Sequence, residues 1–245
     1  MSLLVADAVG KWLGGRRVLA AATLRAERGQ VRVLFGRNGA GKSTLLKIAA
    51  GWIAADTGVV HFDGRAYLRP TLAALARRGL FYLPDHDLLT SVLTVRAQLD
   101  LLRRRFGGGN VDGALEAVGI AHVAQARPHT LSGGELRRAE LAAVLVRRPA
   151  CLLADEPFRG IAPHDAEVLA LGLRRLAADG CAVVVTGHEV PTLLDAADQV
   201  TWCTGGMTYE LGPPNAARMH DGFRRDYLGP GTPWRRSTSE STPGH

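Results

Sequence analysis

Apolar positions along the chain fall mostly into short alternating or continuous runs between glycine-rich turns, and a few stretches carry helical spacing instead. Residues 1–35 are expected as short strands: Val18 to Arg25 and Val31 to Phe35 flank Glu27-Arg28-Gly29-Gln30, a turn. Leu45, Ile48 and Ala49 then recur with helical period, and Gly51 stands where such a helix stops. Val59 to Phe62, Asp63-Gly64 and Arg65 to Leu68 predict a hairpin closed by a type I′ turn. Leu72 to Arg78 predicts a short helix, and Gly79 to Leu83 a buried strand ending at Pro84-Asp85.

From Asp85 to about Arg127 the texture becomes helical, with helices expected over Val95 to Arg105 and Val111 to Val118 around Phe106-Gly107-Gly108-Gly109. That segment is expected as an insertion between two strands of the core. Another helix should run from Ser132 to about Arg148, where Pro149 follows. Cys151 to Ala154 and Cys181 to Thr186 are continuous apolar runs, as in strands buried on both faces. Ala166 to Ala178 has an amphipathic helical pattern, and Val200 to Trp202 with Thr208 to Leu211 forms a last strand pair. Residues 230–245, rich in Pro, Gly, Ser and Thr, are expected to be a disordered tail.

The stretch that organises the rest is Gln30 to Gly51. A strand leads into Gly36-Arg37-Asn38-Gly39-Ala40-Gly41-Lys42-Ser43-Thr44, and a helix leaves it. Strand, glycine loop, Gly-Lys-Ser and helix make the P-loop pattern in its expected context. Glycines let several backbone N–H groups converge on one anion, and the helix adds its positive end. Lys42 supplies a compact cation for β- and γ-phosphates, and the Ser43 hydroxyl is a hard oxygen for Mg²⁺. A glycine turn that binds nothing is the competing explanation. Residue usage weighs against it: of 30 basic residues only Lys11, Lys42 and Lys47 are lysines. A chain that otherwise prefers arginine keeps a point charge where a branched guanidinium would not fit among backbone amides.

Three further constellations carry chemistry. Ser132-Gly133-Gly134-Glu135 is a capping box, and its two glycines also expose N–H groups as a second anion site. Asp155-Glu156 closes an apolar strand, where adjacent carboxylates are costly unless they meet a cation or serve chemistry. In a P-loop protein the first can hold Mg²⁺ through water and the second can orient an attacking water. His188 lies just past the end of Cys181 to Thr186, where ligands sit in open α/β sheets. Trp12 could stack on an adenine ring or be a partly buried core aromatic.

At 245 residues the chain has room for one large domain or two small ones. Met1 to Asp7 lacks the basic start and apolar run of a secretory leader, and no apolar stretch approaches the roughly 20 residues of a membrane helix. Cys151, Cys181 and Cys203 lack paired spacing and are expected as buried thiols in a reducing cytosol. The net charge of +7 invites nucleic acid, but the arginines are spread as doublets such as Arg16-Arg17 with no interleaved aromatics. A solvated arginine-rich surface is the expectation, one that anionic lipid headgroups would also suit, and no nucleic-acid partner is expected.

Together Gly36–Thr44, Leu131–Glu135, Leu152–Glu156 and His188 resemble the ATP-binding subunit of an ATP-binding cassette transporter, over about residues 3–229. The resemblance implies an α/β fold: a P-loop NTPase (RecA-like) core, an antiparallel β subdomain and an inserted α-helical subdomain over 85–130. It implies ATP hydrolysis with Mg²⁺, Asp155 as the Walker B carboxylate, Glu156 as the catalytic base and His188 at the γ-phosphate. It further implies a head-to-tail dimer with a second ATP-binding subunit, each ATP lying between one P-loop and the other subunit's Ser132 to Glu135. A transmembrane permease subunit would be driven through the region near Asp85–Thr94, placing the protein in the cytoplasm on the inner face of the cell membrane. Glu156 to Ile161 and Tyr227-Leu228-Gly229 are similar to the ATPases of branched-chain amino-acid import and lipopolysaccharide export. Two positions depart from the family: Asp85 stands where Gln is usual at a position that senses Mg²⁺ and the partner, and Ala162 where Asp is usual before the proline. A soluble cassette ATPase acting as an assembly factor, or a nucleotide-dependent regulator, is the alternative.

Overall fold

The computed structural model describes residues 2–228. The chain begins with β1 (Ser2–Leu13), β2 (Arg16–Glu27), β3 (Val31–Phe35), α1 (Lys42–Ala49), β4 (Thr57–Phe62), β5 (Arg65–Tyr67), α2 (Leu72–Arg77) and β6 (Leu80–Leu83). Next come α3 (Val95–Phe106), α4 (Val111–Ala117), two short 3-10 turns and α5 (Gly133–Arg147). The remainder is β7 (Cys151–Ala154), α6 (Pro163–Ala178), β8 (Ala182–Thr186), α7 (Val190–Ala196), β9 (Gln199–Thr204), β10 (Met207–Gly212), α8 (Pro214–Met219) and α9 (Asp221–Tyr227).

Two sheets result. One is antiparallel, in the order β2-β1-β4-β5; the other runs β10-β9-β3-β8-β7-β6. In the second, β3, β6, β7, β8 and β9 are parallel and β10 is an antiparallel edge. The parallel strands β3, β7 and β8 are buried at every position, which suits the continuous apolar runs of β7 and β8 up to Thr186, while the one charge in β3, Arg32, is paired with Glu27 and Glu210. One core cluster packs helices α3 to α7 on one face of this sheet, and a second packs α1 and the antiparallel sheet on the other. The segment between β6 and β7 is helical, as its pattern predicts.

The first two strands depart from expectation, being 12 residues long each rather than short. Register shifts between Ala6 and Val9 and again before Lys11 break the alternation that would have shown their length. The β4–β5 turn is as predicted, with φ of 49° at Asp63 and 73° at Gly64. Helix α6 starts three residues before the expected Ala166, because Pro163 occupies its first turn. Helices α7, α8 and α9 are not expected from the pattern; each spans seven residues or fewer. The last of them is pinned beneath the P-loop strand by Phe35, whose ring lies 5.3 Å from Phe223 and 5.4 Å from Tyr227. The tail expected at 230–245 lies outside the described residues.

Candidate functional site

Parallel strands with helical crossovers place their carboxyl ends along one edge of the sheet, and loops leaving that edge converge. The loop after β3 carries Gly36 to Gly41 into α1. Gly39 and Gly41 have φ of 79° and 103°, a left-handed geometry that favours glycine. A Cβ at Gly41 would come 2.6 Å from Leu19 Cδ2, and one at Gly36 would come 2.7 Å from the Cys203 carbonyl oxygen. The loop is also tied from below by the Cys203 thiol, which donates to the Ala40 carbonyl at 3.1 Å. Burial pushes that thiol up to about 11, so it stays protonated at neutral pH. No side chain caps α1, which leaves its first N–H groups open to an anion.

Lys42 is only 5% exposed, and its ammonium donates to the Gly36 carbonyl at 2.6 Å. The same ammonium lies 3.7 Å from Glu156 Oε1. Asp155 is fully buried at the end of β7. Its Oδ1 accepts from Ser43 Oγ at 3.0 Å and from Thr186 Oγ1 at 2.9 Å, and its Oδ2 accepts from the Tyr82 hydroxyl at 3.1 Å. Three hydroxyl donors thus offset the cost of burying its charge. Glu156 stands in left-handed geometry at φ 47°, and its backbone N–H donates to Thr186 Oγ1 at 2.9 Å. His188 Nε2 lies 3.1 Å from Glu156 Oε1. Lys42, Ser43, Asp155, Glu156 and His188, distant in sequence, therefore form one connected cluster.

The cluster borders a cavity of about 840 Å³ lined by Arg37 to Thr44, by Glu156, by Leu13 to Val18 without the two glycines, and by Thr204 to Gly206. Arg16, Arg17, Arg37 and Lys42 make its wall strongly cationic, which suits a polyphosphate. Trp12 is 56% exposed, so the ring is not a core aromatic; it stands outside that lining, next to Leu13, which belongs to it.

Asp85 lies near enough for its charge to add to burial and the Asp155 charge in pushing up the Tyr82 hydroxyl that donates to Asp155, yet its own contacts lie elsewhere. Its Oδ1 lies 2.7 Å from His86 Nδ1, and its main-chain carbonyl accepts from the Arg137 guanidinium. Among the described residues no group of three or more His, Cys, Asp or Glu side chains collects into a metal-binding cluster. Ser132 to Glu135 also stand apart from the cavity lining, at the start of α5. The capping box is formed: Ser132 Oγ accepts from the Glu135 N–H at 3.3 Å, and Glu135 Oε2 accepts from the Ser132 N–H at 2.9 Å. Gly134 allows a close approach, since a Cβ there would meet Asp165 Oδ2 at 2.0 Å.

Sequence reasoning missed Tyr82, Thr186 and the Arg16-Arg17 doublet, which was read as plain surface. Tyr82 and Thr186 had one available signal, as polar-tipped residues at the carboxyl ends of buried strands, where a site is expected.

A P-loop loaded from a parallel sheet, with a carboxylate pair facing it, defines a nucleotide-binding ATPase of the P-loop class. The ABC transporter family matches residues 19–159. A probable ABC transporter ATP-binding protein of Azorhizobium caulinodans is 33% identical over 92% of this chain and 83% of its own length. The lipopolysaccharide export system ATP-binding protein LptB of Escherichia coli K12 is 30% identical over 94% of this chain and 98% of its own. A solved ATP-binding cassette of an ABC transporter in its ADP conformation superposes with a TM-score of 0.81 at 22% identity, covering 94% of this chain and 99% of that one. The chain belongs to the ABC transporter family, as an ATP-binding, ATP-hydrolysing subunit.

Proposed function

We propose that the chain binds Mg²⁺-ATP in the P-loop cavity, hydrolyses it there, and pairs head-to-tail with a second ATP-binding subunit to drive a separate transmembrane permease. The observation that carries this reading is the connected cluster of Lys42, Ser43, Asp155, Glu156 and His188 beside an uncapped helix start. Backbone N–H groups of Gly36 to Thr44 would cradle the phosphates, and Lys42 would turn from the Gly36 carbonyl to the β- and γ-oxygens. Ser43 Oγ and Asp155 Oδ1 suit Mg²⁺, which takes one or two hard protein oxygens and fills its remaining positions with phosphate and water. When bound, the ion neutralises charge on the β- and γ-phosphates. Glu156 is the base that takes a proton from the attacking water, and His188 orients its carboxylate.

Three features support the partners. Ser132 to Glu135 lie outside the chain's own cavity, so they are free to close over ATP bound by a second subunit. An apolar groove of about 460 Å³ lies between β6 and α3, lined by Phe81, Leu88, Leu93, Leu101 and Leu102 among others, and fits a permease segment near Asp85–Thr94. Among the described residues no helix is long and apolar enough to cross a membrane, so a membrane position at the inner face would come through that partner. We take residues 3–229 as the ATP-binding domain, with 85–130 as its helical subdomain.

The test is an ATP titration of Lys42→Ala against the wild-type chain. Charge-assisted contacts to phosphate are worth about 1.5–3 kcal/mol, so affinity should fall by more than about tenfold. Unchanged affinity would falsify the placement of ATP in this cavity.

A further inference from the structure

Tyr82 touches both the nucleotide site and the groove. It is 6% exposed, at the carboxyl end of β6. Its ring stands edge-on to Trp52, with centroids 5.2 Å apart at 86°, and forms part of the groove wall. Trp52 follows Gly51 at the far end of α1, the helix that begins with Lys42 and Ser43. The ring therefore packs against the turn that leaves the helix carrying the candidate metal oxygen.

The hydroxyl end matters more. The two oxygens of Asp155 have different partners: Ser43 and Thr186 donate to Oδ1, and Tyr82 alone among them donates to Oδ2. A carboxylate turns readily about its last bond, because that torsion is broad. Ser43 Oγ cannot hold the carboxylate once it turns toward a metal ion. Thr186 then fixes only the Oδ1 side, and Tyr82 fixes the other.

We propose that Tyr82 is a positioning residue for Asp155: its hydroxyl holds Oδ2, so that Oδ1 stays presented beside Ser43 when metal-bound nucleotide arrives. This rests on the reading of Ser43 and Asp155 as the Mg²⁺-binding pair. Partners of this kind behind a ligand usually matter about 10–100-fold for metal affinity.

The experiment uses Tyr82→Phe, which keeps the ring, its contact with Trp52 and the groove wall. A fluorescent ATP analogue is titrated into wild type and variant in EDTA and at rising free Mg²⁺, with an unfolding curve for each. The expected result is equal affinity in EDTA and a midpoint for the Mg²⁺ enhancement about tenfold higher in the variant. In an Asp155→Asn background Tyr82→Phe should shift nothing further. Equal Mg²⁺ curves for wild type and Tyr82→Phe overturn the role of Tyr82 while leaving the Ser43–Asp155 reading intact. Equal loss in EDTA and in Mg²⁺ also overturns it, since that is the mark of a general packing effect. A wild type whose affinity does not respond to Mg²⁺ instead removes the Ser43–Asp155 reading, and this proposal with it.

Discussion

Asp85 shows what one side chain's direction decides. From the sequence it joins Asp155 and Glu156 at the metal, and ATP binding should then depend steeply on Mg²⁺ through the relief of like-charge repulsion. In the structure its carboxylate is beside His86, with the Arg137 guanidinium on its carbonyl. Asp85→Gln should therefore leave the curve of ATPase rate against free Mg²⁺ within about twofold of wild type, since Asp155 is held by Ser43, Tyr82 and Thr186 while Asp85 pairs with His86. A midpoint that moves several-fold would return Asp85 to the metal. Lys42 and Ser43 were legible from the glycine loop between strand and helix, His188 from its place just past a buried strand, and Asp155 and Glu156 because adjacent carboxylates are expensive at the end of an apolar strand. Tyr82 and Thr186 were not, because a tyrosine or threonine in a strand is ordinary β-sheet composition. Their role depends on which strand lies beside which: β6 and β8 flank β7, so both hydroxyls reach Asp155.

At the scale of elements, α5 links a legible signal to the composite site proposed above. Ser132 and Glu135 close its first turn reciprocally, as their spacing predicts. Hydrogen bonds from the Ser132 hydroxyl and N–H hold the Glu135 carboxyl below its usual range. That part of the cap is present at neutral pH and is lost as pH falls through the Glu135 titration. Ser132→Ala should cost about 1 kcal/mol of stability, read from denaturant unfolding, because the N-cap acceptor is gone. The same variant should leave ATP affinity of the single chain unchanged, since Ser132 does not line its own cavity. Weakened binding to the isolated chain would mean that Ser132 acts on ATP within its own subunit. Other elements were less readable. The bulged pairing of β1 with β2 disguised two long strands, and α7 and α8, with Pro191 and Pro214 in their first turns, are too short to repeat a period. Strand order was out of reach, because β3 pairs with β8 and β9 from the far end of the chain, and local pattern carries no record of that.

At the scale of the whole molecule, the proposed function makes the P-loop cluster and the start of α5 two half-sites on one chain. The first offers a cationic cavity with a base. The second offers glycine N–H groups at the positive end of a 15-residue helix, outside that cavity. Two copies related by a twofold axis can place each half against the other, an arrangement that closes upon itself. ATP would then be the adhesive, because its phosphates would meet both the cationic cavity and the N–H groups of the facing helix start, and hydrolysis would release the pair. Glu156→Gln keeps the side-chain size and its reach to His188 but removes the base, so ATP should remain and the closed state should accumulate. With Mg²⁺-ATP present, sedimentation should show this variant moving from monomer to dimer, while wild type at steady-state turnover remains mostly monomeric. Adding Ser132→Ala to Glu156→Gln should weaken the dimer without lowering ATP binding to each chain. A Glu156→Gln chain that binds ATP yet stays monomeric at every concentration, with the permease present as well as absent, would sink the head-to-tail arrangement and leave the P-loop cavity as a site that works alone.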